Sequence, residues 1–133
     1  MVNFILADFI VKLKVALKAR LLSIKVLKNK LTINLLYLLY KIGIIRSFHI
    51  IKNERNILVY LKYKNSKPLI HSIDLVSKPS KRVYWNLNVL SHNYRKYSFS
   101  NFYIISTSSG LITSTDAILK NNISGEILCK IKL

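Results

Sequence analysis

The sequence predicts an α+β protein built from two small lobes. The chain has 133 residues, a length that fits one domain or two closely packed lobes. Helical and strand-like patterns alternate in the first half, whereas branched and aromatic strand patterns dominate the second. Pro79 and Ser80 interrupt the pattern between the halves. We therefore expect an N-terminal helix-strand-helix-strand-strand lobe at residues 1–77, packed against a mainly β lobe with one short helix at residues 78–133.

Two amphipathic helices are predicted in the first lobe. From Asp8 to Leu17, apolar residues recur at helical spacing with lysines between them. From Leu31 to Ile42, leucines form a wide apolar stripe. Asn29 is the candidate N-cap of this second helix and Gly43 its candidate C-terminal cap, so both of its ends are predicted.

Strands are predicted where short runs of branched and aromatic residues are bounded by polar or turn residues. The runs of the first lobe are residues 21–27, 44–51, 56–63 and 70–76, with a hairpin turn at 53–56. The second lobe should contain, in order, the segment 82–85, an irregular stretch rich in Tyr and Asn, a strand at 101–107, a helix from about 114 to 120 and a strand at 126–131.

The charge balance points to a polyanionic partner. The chain has 22 Lys and Arg against 5 Asp and Glu, a formal net charge of +17. Such an excess disfavours a compact state through self-repulsion unless a polyanion compensates it, and nucleic acid is the commonest such partner. Because 51% of the residues are hydrophobic, the chain is not a disordered basic tail.

The residue types that carry catalysis and metal binding are scattered. The five acids and three histidines lie apart, without a companion at a catalytic or metal-binding spacing, and three separated glycines cannot form a phosphate-binding loop. Cys129 is the single cysteine, which excludes an internal disulfide and a multi-cysteine zinc site. We therefore predict no enzyme activity, no metal, no cofactor and no small-molecule substrate.

A membrane anchor is the main alternative that the sequence raises. The apolar run from Leu31 to Ile45 contains Asn34 and Lys41 and is shorter than the roughly 20 apolar residues that a span requires, so we expect a buried helix and no membrane. An organelle-encoded membrane subunit anchored by residues 31–51 stays the second hypothesis. The segment from Met1 to Phe9 matches neither a secretory signal nor an import presequence, and a composition rich in Ile, Leu, Asn, Lys and Tyr is typical of an AT-rich organelle genome.

The segment ISTSSGLITSTDA, residues 105–117, has a run of hydroxyl side chains around Gly110. Ser and Thr hydroxyls both donate and accept hydrogen bonds, so such a turn can contact phosphate, ribose and unstacked bases of RNA. The same residues also suit a tight hairpin followed by a helix N-cap. This stretch alone does not decide between an RNA-binding turn and a structural hairpin with a helix cap.

Five stretches taken together resemble the small-subunit ribosomal protein eight family. They are ADFIVKLK, NKLTINLLYLLYKIGII, VSKPSKRVY, ISTSSGLIT and SGEILCKI, in family order from about Ala7 to Ile131. The resemblance implies two α+β lobes that bind a distorted helix in the central domain of small-subunit ribosomal RNA. It also implies a role in assembling the platform beside neighbouring small-subunit proteins.

The resemblance also implies a set of RNA-binding residues. The hydroxyl signature falls on Ser106, Thr107, Ser108, Ser109 and Gly110. Further expected RNA contacts are Tyr84 and Lys30 from the resemblance, and Lys12, Lys14, Lys78, Lys81 and Arg82 from the basic surface. Glu126 and Cys129 are expected to support the binding loop.

Some of these positions have a second reading or depart from the family pattern. Glu126 is either a surface charge or an acceptor that orients Ser and Thr hydroxyls, and Cys129 is more simply a buried packing residue than an RNA contact. Ser109 stands where the family commonly has Lys, while Ser80 and Ser124 stand where glycine is usual. We therefore expect one phosphate contact to be missing or replaced and both turns to be slightly reshaped.

The sequence thus predicts a structural ribosomal protein of the mitochondrial small subunit, encoded in the organelle, with a plastid as the less favoured compartment. Phosphate contacts should supply most of the affinity, and the hydroxyl turn should read the RNA shape. A free regulatory RNA-binding protein would share these features and stays open as a third hypothesis.

Overall fold

The computed structural model describes residues 5–96, 101–121 and 123–133. The predicted α+β class is confirmed, and the chain divides into two compact units, of which the first ends at Ile70 and the second begins at His71. This division lies earlier than the predicted one between residues 77 and 78. The reason is that the strand Ser72–Leu75 pairs with the strand Glu126–Lys132 and so belongs to the second unit.

The first unit combines two helices with antiparallel strands. Its elements are α1 (Ile5–Ala19), β1 (Ser23–Leu27), α2 (Lys30–Ile42), β2 (Ile45–Ile50), β3 (Asn56–Leu61), β4 (Tyr63–Lys64) and β5 (Lys67–Pro68). The three longer strands form a sheet in the order β1-β3-β2, and α1 contacts β1 while α2 contacts β2. The described strands of this sheet therefore leave β1 and β2 at its edges.

Helix α1 extends beyond the predicted segment at both ends. Its apolar stripe is buried, with Phe9 and Leu13 almost fully enclosed, while Val11 and Val15 on the other side are exposed. This is the pattern of a surface helix that buries one face.

The predicted caps of α2 are confirmed. The Asn29 side chain accepts a hydrogen bond from the Lys30 backbone N–H at 2.7 Å. Gly43 has φ +91°, and its N–H donates to the carbonyls of Leu39 and Tyr40. Glycine adopts this left-handed conformation without the steric cost that other residues incur.

The proposed membrane anchor at residues 31–51 is divided in the structure. Its first part lies in α2 and its second part in β2, with the turn at Gly43 between them. Throughout the described ranges, every helix is too short or too polar to cross a bilayer.

A small hairpin that the sequence analysis missed follows β3. Strand β4 pairs with β5 across Asn65 and Ser66, whose φ angles are +52° and +64°. Consecutive positive φ values are typical of a tight hairpin turn, in which Asn is well tolerated.

The second unit is an antiparallel sheet with helices on one face. Its elements are β6 (Ser72–Leu75), α3 (Leu87–Lys96), β7 (Asn101–Thr107), β8 (Gly110–Thr113), α4 (Ser114–Asp116) continued by a π-helix (Ala117–Asn121), and β9 (Glu126–Lys132). The strand order is β6-β9-β7-β8. Its core cluster lies between the sheet and the helices and consists of Leu90, Tyr103, Ile105, Ala117 and Ile127.

Helix α3 lies in the stretch that was predicted to be irregular, so that prediction was wrong. The Asn86 side chain accepts a hydrogen bond from the Val89 N–H at 2.9 Å, as an N-cap does. Leu90 is fully buried in the core cluster. The segment is polar on average, with Leu87, Val89 and Leu90 as its aliphatic residues, so it lacks the wide apolar stripe that marked the first two helices.

Candidate nucleic-acid interface

The hydroxyl segment forms the hairpin turn between β7 and β8. Thr107 pairs with Gly110, whose φ is +107°, and Ser108 and Ser109 occupy the turn. The Thr107 hydroxyl accepts from the Ser109 N–H at 3.2 Å and donates to the Gly110 carbonyl at 2.9 Å. Thr107 therefore stabilises the turn, and Ser108 and Ser109 are presented to solvent.

Two further hydroxyls after the turn also have structural partners. The Thr113 side chain accepts from the Asp116 N–H at 3.3 Å and caps α4. The buried Ser114 hydroxyl accepts from the Tyr103 N–H at 3.1 Å. The hypothesis of a hairpin followed by a helix cap thus explains Thr107, Thr113 and Ser114. The hydroxyls that suit ligand contact are those of Ser106, Ser108 and Ser109.

Three candidate residues lie in a row across the sheet. Ser106 is directly opposite Glu126 on the neighbouring strand, and Tyr84 forms an isolated bridge on the other side of Glu126. Directly opposite residues of antiparallel strands point to the same face of the sheet. The structure therefore brings Tyr84, Glu126 and Ser106 together at the end of the sheet that carries the hydroxyl turn.

This row faces away from the helices of the second unit. Ile105 and Ile127 belong to the core cluster beneath the helices, and Trp85 packs against it. Because successive strand residues point to opposite faces, Ser106, Glu126 and Tyr84 lie on the other face. Tyr84 is 69% exposed, so its ring is accessible for stacking.

The basic loop Lys78–Arg82 is held beside this row by Ser77. The loop closes through two backbone hydrogen bonds between Lys78 and Lys81, of 2.9 and 3.0 Å. The fully buried Ser77 hydroxyl donates to the Ile127 carbonyl at 2.6 Å and accepts from the Val83 N–H at 3.0 Å. One hydroxyl thus connects both ends of the loop to β9, and Lys78 and Lys81 are exposed.

Gly125 allows the strands to approach each other at the site. A Cβ atom at this position would lie 2.2 Å from the Ser106 carbonyl oxygen, and its other near neighbours are backbone atoms of Ser106 and Thr107. Only a residue without a side chain fits there, and the close approach positions Ser106 beside the start of β9.

Glu126 has a different partner from the one proposed. Its Oε1 atom lies 3.3 Å from the Arg82 guanidinium, with 19% of the Glu126 side chain exposed. Among the described residues it accepts from Arg82 rather than from a Ser or Thr hydroxyl. Glu126 therefore links the basic loop to β9. The guanidinium of Arg82 donates one of its hydrogen bonds within the protein.

The remaining predicted basic contacts lie in the first unit. Lys12 forms an ion pair with Asp8 at 3.2 Å, one helical turn away. Lys14 and Lys30 are exposed on α1 and at the start of α2. The structure assigns these three lysines to a different unit from the hydroxyl turn.

Comparison with known proteins identifies the family. A family model described as Ribosomal protein S8 matches residues 5–131, nearly the whole chain. The chain belongs to the ribosomal protein S8 family. The resemblance drawn from the sequence is therefore confirmed, and the chain has a structural ribosomal role.

Relatives in this family match over almost their full lengths. The small ribosomal subunit protein uS8m of Acanthamoeba castellanii is 41% identical over 127 residues, which are 96% of this chain and 98% of the relative. The small ribosomal subunit protein uS8 of Syntrophus aciditrophicus is 34% identical over 130 residues, and that of Buchnera aphidicola is 34% identical over 127 residues. Each of these two alignments covers 95% of both chains.

This S8-family chain also contains two site residues that the sequence analysis missed. Ser77 and Gly125 position the loop and the strand ends, yet neither stands out in the sequence. In the described ranges, no three His, Cys, Asp or Glu side chains converge as a metal site requires. The signals that pointed to Gly125 were the scarcity of glycine, since the chain has only three, and its place in the family stretch SGEILCKI.

Cys129 is buried in β9, three residues after Glu126. It is 0% exposed, pairs with Leu75 and Ile104 across the sheet, and its burial raises the pKa of the thiol to about 12. The thiol is therefore neutral at physiological pH and packs as a small apolar residue.

The buried thiol gives a prediction about reactivity and alkaline stability. Iodoacetamide at pH 8 should leave Cys129 unmodified in the native protein and alkylate it in urea, as measured by mass spectrometry. Because the folded state raises this pKa, the associated stability is present below the unfolded thiol pKa and is lost as pH rises from about 9 to about 12. Urea unfolding should show this loss as a steeper fall in the free energy of unfolding between these pH values than in Cys129→Ala. Rapid native alkylation would contradict the assigned burial.

Proposed function

We propose that the chain is a structural protein of the mitochondrial small ribosomal subunit, encoded in the organelle. In this proposal it binds the central domain of small-subunit ribosomal RNA, supports platform assembly and contacts neighbouring small-subunit proteins. Family membership supports the ribosomal role, and the name of the Acanthamoeba relative, uS8m, supports the mitochondrial placement. The composition typical of an AT-rich organelle genome agrees with this placement.

The RNA-binding proposal rests on how polar and aromatic side chains are arranged at one end of the second unit's sheet. The exposed hydroxyls of Ser108 and Ser109 project from a fixed hairpin turn beside the row of Tyr84, Glu126 and Ser106. Hydroxyl groups can contact ribose and unpaired base edges, and an exposed tyrosine ring can stack on a splayed base. Such groups suit an irregular RNA loop better than a regular duplex, whose bases are stacked and paired.

Basic residues supply the second part of the proposed interface. Lys78 and Lys81 lie in the loop that Ser77 fixes beside the row, where they can contact phosphates. Lys12, Lys14 and Lys30 add phosphate contacts from the first unit. Phosphate contacts provide affinity with little sequence information, so selectivity comes from the hydroxyl turn and Tyr84.

Alanine at both Ser106 and Ser108 tests the assignment of selectivity. Two lost hydrogen bonds should weaken binding to a central-domain fragment of small-subunit ribosomal RNA by about tenfold to hundredfold. Binding to an unrelated RNA duplex should change little, because phosphate contacts are intact. Filter binding at fixed salt measures both affinities.

A matched control is Ser23→Ala, since Ser23 lies on β1 of the first unit. This variant should bind both RNAs like the wild type. Equal losses on the fragment and the duplex in the Ser106→Ala, Ser108→Ala protein would reject the proposed role of the turn.

A further inference from the structure

The first unit contains an aromatic groove that no role described above uses. The groove lies between α2 and the edge strand β2, has a volume of about 400 Å³, and is lined by Tyr37, Tyr40, Ser47, Phe48 and Ile50. Tyr37 is 57% exposed and Tyr40 is 54% exposed. Two large rings are thus presented to solvent side by side on one helix, which marks this surface as a candidate binding site.

The rings are held in place before any ligand arrives. The Phe48 ring centroid lies 4.9 Å from that of Tyr37 and 6.3 Å from that of Tyr40, with interplanar angles of 85° and 82°. Edge-to-face contacts of this kind are favourable and restrict the rings from one side. Because the rings are already ordered, a flat ligand that contacts their exposed parts would cost little further side-chain entropy.

The charges around the groove are positive. Lys30 and Lys41 lie on the same stripe of α2 as Tyr37, at helical spacing on either side of it. Arg46 precedes Ser47 on β2, and neither α2 nor β2 contains an Asp or Glu. A flat apolar surface flanked by cations matches a strand that alternates aromatic bases with phosphates.

An apolar or basic protein segment fits these charges less well. It could fill the aromatic part of the groove, but it would leave Lys41 and Arg46 without compensating charge. Single-stranded RNA has bases that can stack on the rings and phosphates that can pair with the cations.

We propose that this groove binds an unstacked base from a single-stranded segment of small-subunit ribosomal RNA. The base stacks against Tyr37 and Tyr40, Ser47 is the polar group of the lining, and Lys41 and Arg46 contact the adjacent phosphates. The source of the RNA rests on the proposed function. The groove is a second RNA contact, on the first unit, separate from the hydroxyl turn of the second.

The test is fluorescence anisotropy with labelled hexaadenylate and with an unrelated RNA duplex. The protein carrying Tyr37→Leu and Tyr40→Leu should bind hexaadenylate about tenfold or more weakly, because base stacking on aromatic side chains is lost. The Tyr37→Phe, Tyr40→Phe protein keeps both rings and should bind within about twofold of the wild type. Circular dichroism melting should show all proteins folded.

Tyr60→Leu is the matched control. Tyr60 is an exposed tyrosine of the same unit, on β3 and outside the groove lining. Its replacement should leave hexaadenylate binding unchanged. The inference is overturned if the Leu variant at positions 37 and 40 binds hexaadenylate like the wild type, or if the Phe variant loses as much affinity as the Leu variant.

Three further measurements separate this inference from the proposed function. The Leu variant at positions 37 and 40 should keep its affinity for the central-domain fragment, whereas the Ser106→Ala, Ser108→Ala protein should keep its affinity for hexaadenylate. In assembled small subunits, ultraviolet crosslinks from Tyr37 or Tyr40 to ribosomal RNA would support the inference. Crosslinks from these tyrosines to protein alone would overturn it even if the hydroxyl turn binds RNA as proposed.

Discussion

Replacing Gly125 with alanine should unfold or rearrange the second unit at the site and abolish selective RNA binding. The added Cβ would lie 2.2 Å from the Ser106 carbonyl oxygen, 3.2 Å from its carbonyl carbon and 3.4 Å from the Thr107 Cα. These are backbone atoms of a central strand, so no side-chain rotation can relieve the contact. We expect a loss of about 2–4 kcal/mol in the free energy of unfolding, since overpacking and forced backbone shifts have costs of this order.

Urea unfolding followed by circular dichroism measures this loss, and filter binding to the central-domain fragment measures the effect on the site. Lys132→Ala is the control, because Lys132 is exposed near the other end of β9. Its unfolding free energy should stay within about 0.5 kcal/mol of the wild type. A Gly125→Ala protein with unchanged stability and unchanged selectivity would show that β7 and β9 do not approach as closely as described.

Ser77→Ala should have the next largest effect. The side chain is 0% exposed, and its hydroxyl donates to the Ile127 carbonyl and accepts from the Val83 N–H. Alanine leaves both backbone groups without this partner in a buried environment. Each unsatisfied buried group costs about 1–3 kcal/mol, so we expect a total loss of roughly 2–4 kcal/mol in the free energy of unfolding.

The same change should loosen the Lys78–Arg82 loop. Thermal unfolding gives the stability loss, and amide hydrogen exchange at Val83 reports the loop directly. Ser80→Ala is the matched control, since Ser80 is an exposed serine within the loop. It should affect stability and exchange very little. If Ser77→Ala and Ser80→Ala were equally mild, the buried hydroxyl would not be what holds the loop.

Local signals made much of the fold predictable. The caps of α2 at Asn29 and Gly43 were correct because capping depends on residue type and backbone conformation at one position. The strand at residues 101–107 was predicted with its observed bounds, since a run of branched and aromatic residues needs no distant contact to be recognised. Helix α3 was missed because its stability comes from Asn86 at one end and the burial of Leu90 against distant strands.

The candidate site was only partly predictable for the same reason. The sequence indicated the hydroxyl turn, but could not separate Thr107, which holds the turn, from Ser108, which is exposed. Ser77 and Gly125 act through contacts with strands that are far away in sequence, and a serine or glycine carries no local sign of such a contact. The Arg82 partner of Glu126 depends likewise on how the loop returns to β9.

The pairing of Glu126 with Arg82 has a consequence for discrimination between RNA shapes. A carboxylate in the middle of a cationic surface repels any phosphate that lies directly over the sheet, and a single guanidinium offsets this repulsion only in part. A uniform double helix laid across Tyr84 and Ser106 would bring its sugar-phosphate strand against that carboxylate. A kinked strand that turns a sugar or nucleobase inward avoids the repulsion, so in the proposed interface Glu126 would favour an irregular RNA strand over an ordinary helix at this row.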